Sequence, residues 1–188
     1  MAGPRPRLPG AFHAFALAVA VSTAGLMTFG IFGYHLVDAG LVSDAAVPVV
    51  YAGAMAAGAV AALLAGAAYD RWHHGILLLL PALVAPVPAL ALSAQLGPVL
   101  AGIGLWGAAT GIQDSTVKAL VADLVAPAGR GTAYGVFAAY QGVAALAGGT
   151  LAGALYRDHT TMLAVGVAVL QVAAYVPLVS ALRSASRV

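Results

Sequence analysis

Apolar residues fill this chain in six long runs, at roughly 12–36, 46–69, 75–93, 97–122, 133–156 and 161–182, with only short polar punctuation between them. Each run approaches the ~20 residues that an α-helix needs to cross the hydrocarbon core of a bilayer. The punctuation carries helix-ending chemistry: Asp38-Ala39-Gly40 and Asp44 follow the first run, and Asp70-Arg71 the second. Gln95-Leu96-Gly97-Pro98, Ala126-Pro127-Ala128-Gly129 and Arg157-Asp158-His159 close the next three. The pattern predicts an all-α membrane protein with six transmembrane helices in one domain, residues 12–182, between a Pro- and Arg-rich tail at 1–11 and a short tail at 183–188. The first run is too long for a signal-peptide core and has no convincing cleavage site, so it is expected to be a retained helix.

Composition agrees with the pattern. With 62% hydrophobic and 7% charged residues and a mean hydropathy of +0.98, the chain cannot cover a water-soluble sphere. Membrane lipid is its expected surrounding. The chain has no cysteine, which excludes disulfides, thiol catalysis and cysteine metal sites. No phosphate-cradling glycine loop, HExxH or serine-nucleophile motif is present, so an enzyme is not expected, nor a cofactor, a metal or a nucleic-acid partner. With alternating spans, Arg5, Arg7, Arg71, Arg130, Arg183 and Arg187 fall on one side and Arg157 alone on the other. The positive-inside rule then puts both termini in the cytoplasm, in a plasma (bacterial inner) membrane, and makes any dimer parallel.

Chemistry gathers on the fourth run. At 3.6 residues per turn, Trp106, Thr110, Gln113, Asp114, Val117 and Lys118 share one stripe. The opposite stripe offers Gly97, Ala101, Gly104, Ala108 and Gly111, small enough for a neighbour to approach closely. Asp114 and Lys118 are the ionisable pair deepest in a predicted span, spaced i, i+4 with the acid first, which suits a salt bridge along the helix. A mid-membrane charge costs about 2.5–3.5 kcal/mol even on the lenient insertion scale, so the pair either neutralises itself as a structural ion pair or faces a water-filled cavity.

Elsewhere His35, with Thr28 seven residues before it and Asp38 three after, offers a proton relay near the outer end of the first helix. Gln141 and Gln171 read as interhelical hydrogen bonds. Pro81, Pro86 and Pro88 should bend the third helix, leaving neighbours to satisfy the freed carbonyls. Small residues recur every fourth position at Gly58, Ala62 and Gly66 and at Ala145, Gly149 and Gly153, as close-packing seams. His73 and His74 read as a headgroup contact.

Two loops carry a resemblance. In GAAYDRWHHG, residues 66–75, Gly66, Asp70, Arg71 and Trp72 are placed as in the loop signature of the major facilitator superfamily, with His73, His74 and Gly75 where the family usually has two basic residues and a second Gly. In residues 119–142, Asp123, Pro127, Arg130, Gly131 and Gly135 resemble the linkage between the tenth and eleventh helices of such transporters. Locally, Gly131 would permit the turn, Thr132 would cap the fifth helix, and that helix's positive end would attract Asp70. The resemblance covers the chain as the C-terminal six-helix half of a twelve-helix carrier, two inverted three-helix repeats. It implies that Asp70 latches one conformation within a network of Gly66, Arg71, Asp123, Arg130 and Gly131.

Together these readings predict a half-size secondary transporter that moves a small solute by alternating access as a parallel homodimer, with proton coupling through His35 as an option. Its cavity would be lined by Trp106, Thr110, Gln113, Asp114 and Lys118, with Thr28 and His35 nearer the outer end. Two alternatives stay open: one half of a hetero-oligomeric carrier, and a non-transporting scaffold or regulatory subunit.

Overall fold

The computed structural model describes residues 8–185, without the side chains of Trp72, His73, His74, Val117, Lys118, Ala122, Ser184 and Ala185. The described residues are helical throughout, joined by short turns: α1 Gly10–Gly25, α2 Phe29–Asp38, α3 Val47–Trp72, α4 Leu79–Val84, α5 Val87–Ala91, α6 Leu96–Leu124, α7 Arg130–Leu155 and α8 Thr160–Ala185. Four stretches are long and apolar enough to cross a membrane: Gly10–Asp38, Asp44–Arg71, Pro127–Leu155 and Thr160–Arg183. α6 and the shorter apolar stretch Gly75–Ala91 complete the bundle. The protein is thus all-helical, and its apolar helices mark it as an integral membrane protein.

Exposed side chains agree with a lipid surround. Leu63, Leu64, Val143, Leu146, Val172 and Val176 all stand outward, a coat that water would not tolerate on this scale. Inward, Phe12, Phe15, Phe32, Leu36, Leu120 and Val121 are fully buried and form part of one continuous core.

The first apolar run is not one helix. α1 stops at Gly25 and α2 starts at Phe29, with Met27 between them at φ 56°. A side chain with a Cβ reaches this left-handed region only at a cost of about 1–2 kcal/mol, so the break must be held by its surroundings. The third run is bent as its prolines require. A 3₁₀ turn over His73–Leu78 leads into α4, and a further turn at Ala85–Pro86 separates α4 from α5. The Tyr175 hydroxyl of α8 donates to the Leu78 carbonyl at 2.9 Å, tying α8 to the start of α4.

α3 lies along α6, α1 lies along α7 and α8, and α4 and α5 pack between α6 and α8. Two of these pairings run parallel. Ala54, Gly58 and Tyr69 of α3 meet Gly107, Gly111 and Asp123 of α6 in that order. Phe15, Ala24 and Tyr34 of the first stretch meet Phe137, Gly148 and Tyr156 in the same sense. With α1–α2, α3 and α4–α5 as one group and α6, α7 and α8 as another, exchanging the groups turns each of these pairings into another one present: α3–α6 into α7–α1, α5–α6 into α8–α1.

The seams depend on particular glycines. A Cβ at Gly107 or Gly111 would overlap the carbonyls of Ala54 or Gly58, and one at Gly148 would overlap that of Ala24. Gly102 likewise abuts the Ala91 backbone. The small-residue stripes expected from sequence are corrected in detail: Gly58 and Gly111 belong to the seam, whereas Gly66, Gly97, Gly104 and Gly153 face open space.

Candidate polar site at the helix break

The fourth-run stripe turns toward the break in the first run. Trp106, buried, donates its indole N–H to the Met27 carbonyl at 3.2 Å. Its ring lies edge-on to Phe32, centroids 5.8 Å apart, and tilted against Phe29 at 5.9 Å, while Phe29 also meets Tyr51. One large side chain therefore gives a backbone carbonyl within the break a partner and packs the start of the next helix. Two turns further along α6, buried Gln113 donates to the Thr23 hydroxyl at 3.1 Å, just before the break. Thr110 lies between them and donates to the carbonyl of Trp106 on its own helix at 2.9 Å.

These contacts divide the expected cavity residues. Trp106 and Gln113 are packed against the first stretch, so their side chains do not stand in an open cavity. Thr110 is half-buried, and Asp114 and Thr28 are exposed. Thr28 occupies the N-cap position of α2 without a capping side-chain bond, and its methyl group faces Gly149. The Lys118 side chain lies outside the described residues, so its pairing with Asp114 does too. On the other flank of α1, an apolar groove of about 510 Å³ runs between α1 and α7, lined by Leu17, Val21 and Ala24 opposite Tyr140, Val143 and Ala147.

A second buried polar contact ties the same stretch to α8. The Ser22 hydroxyl donates to Gln171 Oε1 at 2.8 Å, and Gln171 Nε2 donates back to the Ser22 carbonyl at 3.1 Å. Both residues are almost fully buried. This is the interhelical role expected for Gln171.

The two ends of the bundle carry separate polar clusters. At one end His35 is buried, with Nδ1 2.9 Å from the Tyr156 hydroxyl and Nε2 2.9 Å from the Ser93 carbonyl. Tyr156 in turn donates to Asp38 at 3.5 Å, and Arg157 donates to the Tyr34 hydroxyl at 3.1 Å. Burial, then the Asp38 charge, raises the Tyr156 pKa, and the Tyr34 hydrogen bond raises that of Arg157. Asp38 thus reaches His35 only through Tyr156, and Thr28 stands apart from both at the break.

At the other end Tyr69 of α3 donates to Asp123 of α6 at 2.8 Å, while the next two residues, Asp70 and Arg71, are exposed. Arg130 Nε donates to the Val125 carbonyl at 3.2 Å across the turn before α7. Gly66 and Gly131 have open space where a Cβ would stand. The local capping expectation is corrected. The turn is made by Pro127–Gly129, α7 opens at Arg130 with Gly129 as its N-cap, and Gly131 and Thr132 already lie in its first turn. Sequence reading did not find Tyr69, Tyr156 or Thr23 as partners; tyrosines at span ends carry only the general signal of an interfacial belt.

No family model matches the chain. Proteins of Mycobacterium tuberculosis and Mycobacterium bovis, described only as uncharacterized, are 44% identical to it over 174 residues, 92% of this chain and 42% of each relative. The chain therefore spans less than half the length of the curated relatives it matches.

Proposed function

We propose that this chain forms one six-span half of a secondary transporter of the major facilitator type, which moves a small solute by alternating access beside a second six-span unit. The observation that carries the reading is the break at Leu26–Thr28, in an otherwise membrane-long helix, facing the polar stripe of α6. Carriers build their sites from such discontinuous helices near the bilayer midplane, where backbone leaves the helix only to line a cavity or meet buried partners. Thr110, Asp114 and Thr28 line the solute path on this reading, with Lys118 one turn beyond Asp114, and Trp106 and Gln113 hold the broken stretch against α6. The exchange relation among the packed helices supports two inverted three-span repeats, with α6 and the bent Gly75–Ala91 stretch as spans four and three. Relatives more than twice the length of the matched region support a second unit of similar size. A second copy of this chain, set parallel, fills that role, and Gly66, Asp70, Arg71, Asp123, Arg130 and Gly131 surround the latch at the Tyr69 end.

Because the chain has no cysteine, single-cysteine probes test this directly. Thr110→Cys or Asp114→Cys in sealed vesicles should react with an impermeant maleimide from either side, each side in a separate population of molecules. No reaction from either side would mean a closed interface and a scaffold in place of a carrier. The mass of the protein in lipid nanodiscs should be that of a dimer; a persistent monomer would remove the second copy as the missing half.

A further inference from the structure

The hydrogens at the His35 end do not suffice for its hydrogen bonds when the imidazole is neutral. Ser93 presents a carbonyl to Nε2 at 2.9 Å, and a carbonyl only accepts, so Nε2 carries a hydrogen. A neutral ring then has a bare lone pair on Nδ1, which needs the hydroxyl hydrogen of Tyr156 at 2.9 Å. Asp38, an exposed carboxylate that can only accept, faces the same hydroxyl at 3.5 Å, a long contact that a shift of a few tenths of an ångström would bring into full hydrogen-bond range. Tyr156 has one hydrogen for two acceptors.

A protonated ring satisfies every contact. Nδ1–H donates to the Tyr156 oxygen, the Tyr156 hydrogen passes to Asp38, and Nε2–H stays on Ser93. A cation and an anion then close a chain of charge-assisted bonds, which are shorter and stronger than neutral ones. Tyr156 keeps its own hydrogen, since burial and the Asp38 charge both oppose its ionisation, so the imidazole is the group that changes.

We propose that His35, Tyr156 and Asp38 form a proton-binding site that braces this end of the bundle. One proton on His35 Nδ1 tightens α2 against the turn after α5 and the turn after α7. The ionisable groups around it are Asp38 and Tyr34 on α2 and Tyr156, Arg157, Asp158 and His159 after α7; the turn from α5 to α6 carries no ionisable residue. Arg157 is engaged by the Tyr34 hydroxyl, and the Tyr34 and His35 rings both stand edge-on to Tyr156, at 5.5 and 5.8 Å between centroids. The site would supply the coupling proton to the carrier described above, and that use rests on the transport reading; the protonation and the brace do not.

The test uses the full chain in lipid nanodiscs with ¹⁵N-labelled histidine rings, the His35 signals being those lost in His35→Gln. As the pH of the sample is lowered, the His35 ring should pass from the Nε2–H form to the doubly protonated form. The rate at which Ala94→Cys, beside Ser93, reacts with a polar maleimide, divided at each pH by that of a free model thiol to remove the fall in thiolate fraction, should be about threefold lower at the lower pH, as charge-assisted bonds tighten the end. That pH response should vanish in His35→Gln, whose amide still bonds both neighbours without titrating, and in Tyr156→Phe. A ring that stays neutral throughout, or a response that survives His35→Gln, overturns the proposal. Either result leaves the maleimide access at Thr110 and Asp114 unaffected, so failure of the proton site and failure of the transport reading are separately visible.

Discussion

The seams α3–α6 and α1–α7 are both parallel pairings drawn together on glycine, yet they differ in one respect that organises the molecule. α3 and α6 are unbroken over 26 and 29 residues, and their crossing uses successive backbone contacts at Gly107 and Gly111. In the other seam Gly148 meets Ala24 only one residue before α1 ends. Continuous helices in close backbone contact make a stiff post, whereas a helix interrupted at Met27 can pivot where its ladder is missing. The Trp106 and Gln113 bonds run from the post to the pivot, one to the interruption itself and one just before it. Polar groups in the bundle's interior are thus concentrated where a rigid element restrains a divided one.

Substitutions should separate the two seams. The largest effect is expected from Gly111→Val, whose side chain would meet the Gly58 backbone; a loss on the order of 3 kcal/mol or more should appear in denaturation in mild detergent. Gly104→Val, on the same helix but facing open space, should be close to neutral. Equal losses from both would remove the distinction between seam and surface. Gln171→Leu should cost about 2 kcal/mol, because Ser22 would keep a buried hydroxyl without its partner. Trp106→Phe keeps most of the ring and loses only the bond to the Met27 carbonyl. About 1 kcal/mol is expected, with faster amide hydrogen exchange at residues 26–29 and unchanged exchange along α3. Faster exchange in α3 instead would show that the post is no stiffer than the divided stretch.

The smallest effect is one of pH. Tyr156 has a raised pKa in the folded protein, so the stability it contributes is complete below the ordinary tyrosine value of about 10. It is lost as pH rises through the raised value. Phenolate absorbance compared with Tyr156→Phe should show one tyrosine ionising late, together with loosening of the His35 end.

Much of this architecture was legible in the chain because lipid imposes a simple rule on sequence. The second, fourth, fifth and sixth runs match α3, α6, α7 and α8 to within a few residues at each end, and the prolines of the third run bend it as expected. The break in the first run was not legible. Leu26-Met27-Thr28 offers no proline, and no glycine stands at the one position where φ is positive, so local propensity reads straight through it. Its cause is tertiary: an indole N–H, a glutamine and an aromatic cluster contributed from distant parts of the chain. The same holds for the seams, where composition supplied many small residues but only the packing distinguishes Gly107 and Gly148 from Gly104 and Gly153. His35 was legible as a residue with chemistry; Tyr156, which relays it to Asp38, was not.

The contact between Ser22 and Gln171 has a consequence for how the protein is made. The two residues are 149 positions apart, and ribosomes add roughly 5–20 residues per second. The first stretch therefore enters the bilayer about 7–30 seconds before its partner helix has been synthesised. During that interval its Ser22 hydroxyl and Gly25 lack their neighbours on α8, and until α6 has been made the interrupted backbone lacks Trp106 as well. Insertion factors that shelter early helices, and pauses in translation near α8, should affect the yield of this protein through its oldest segment.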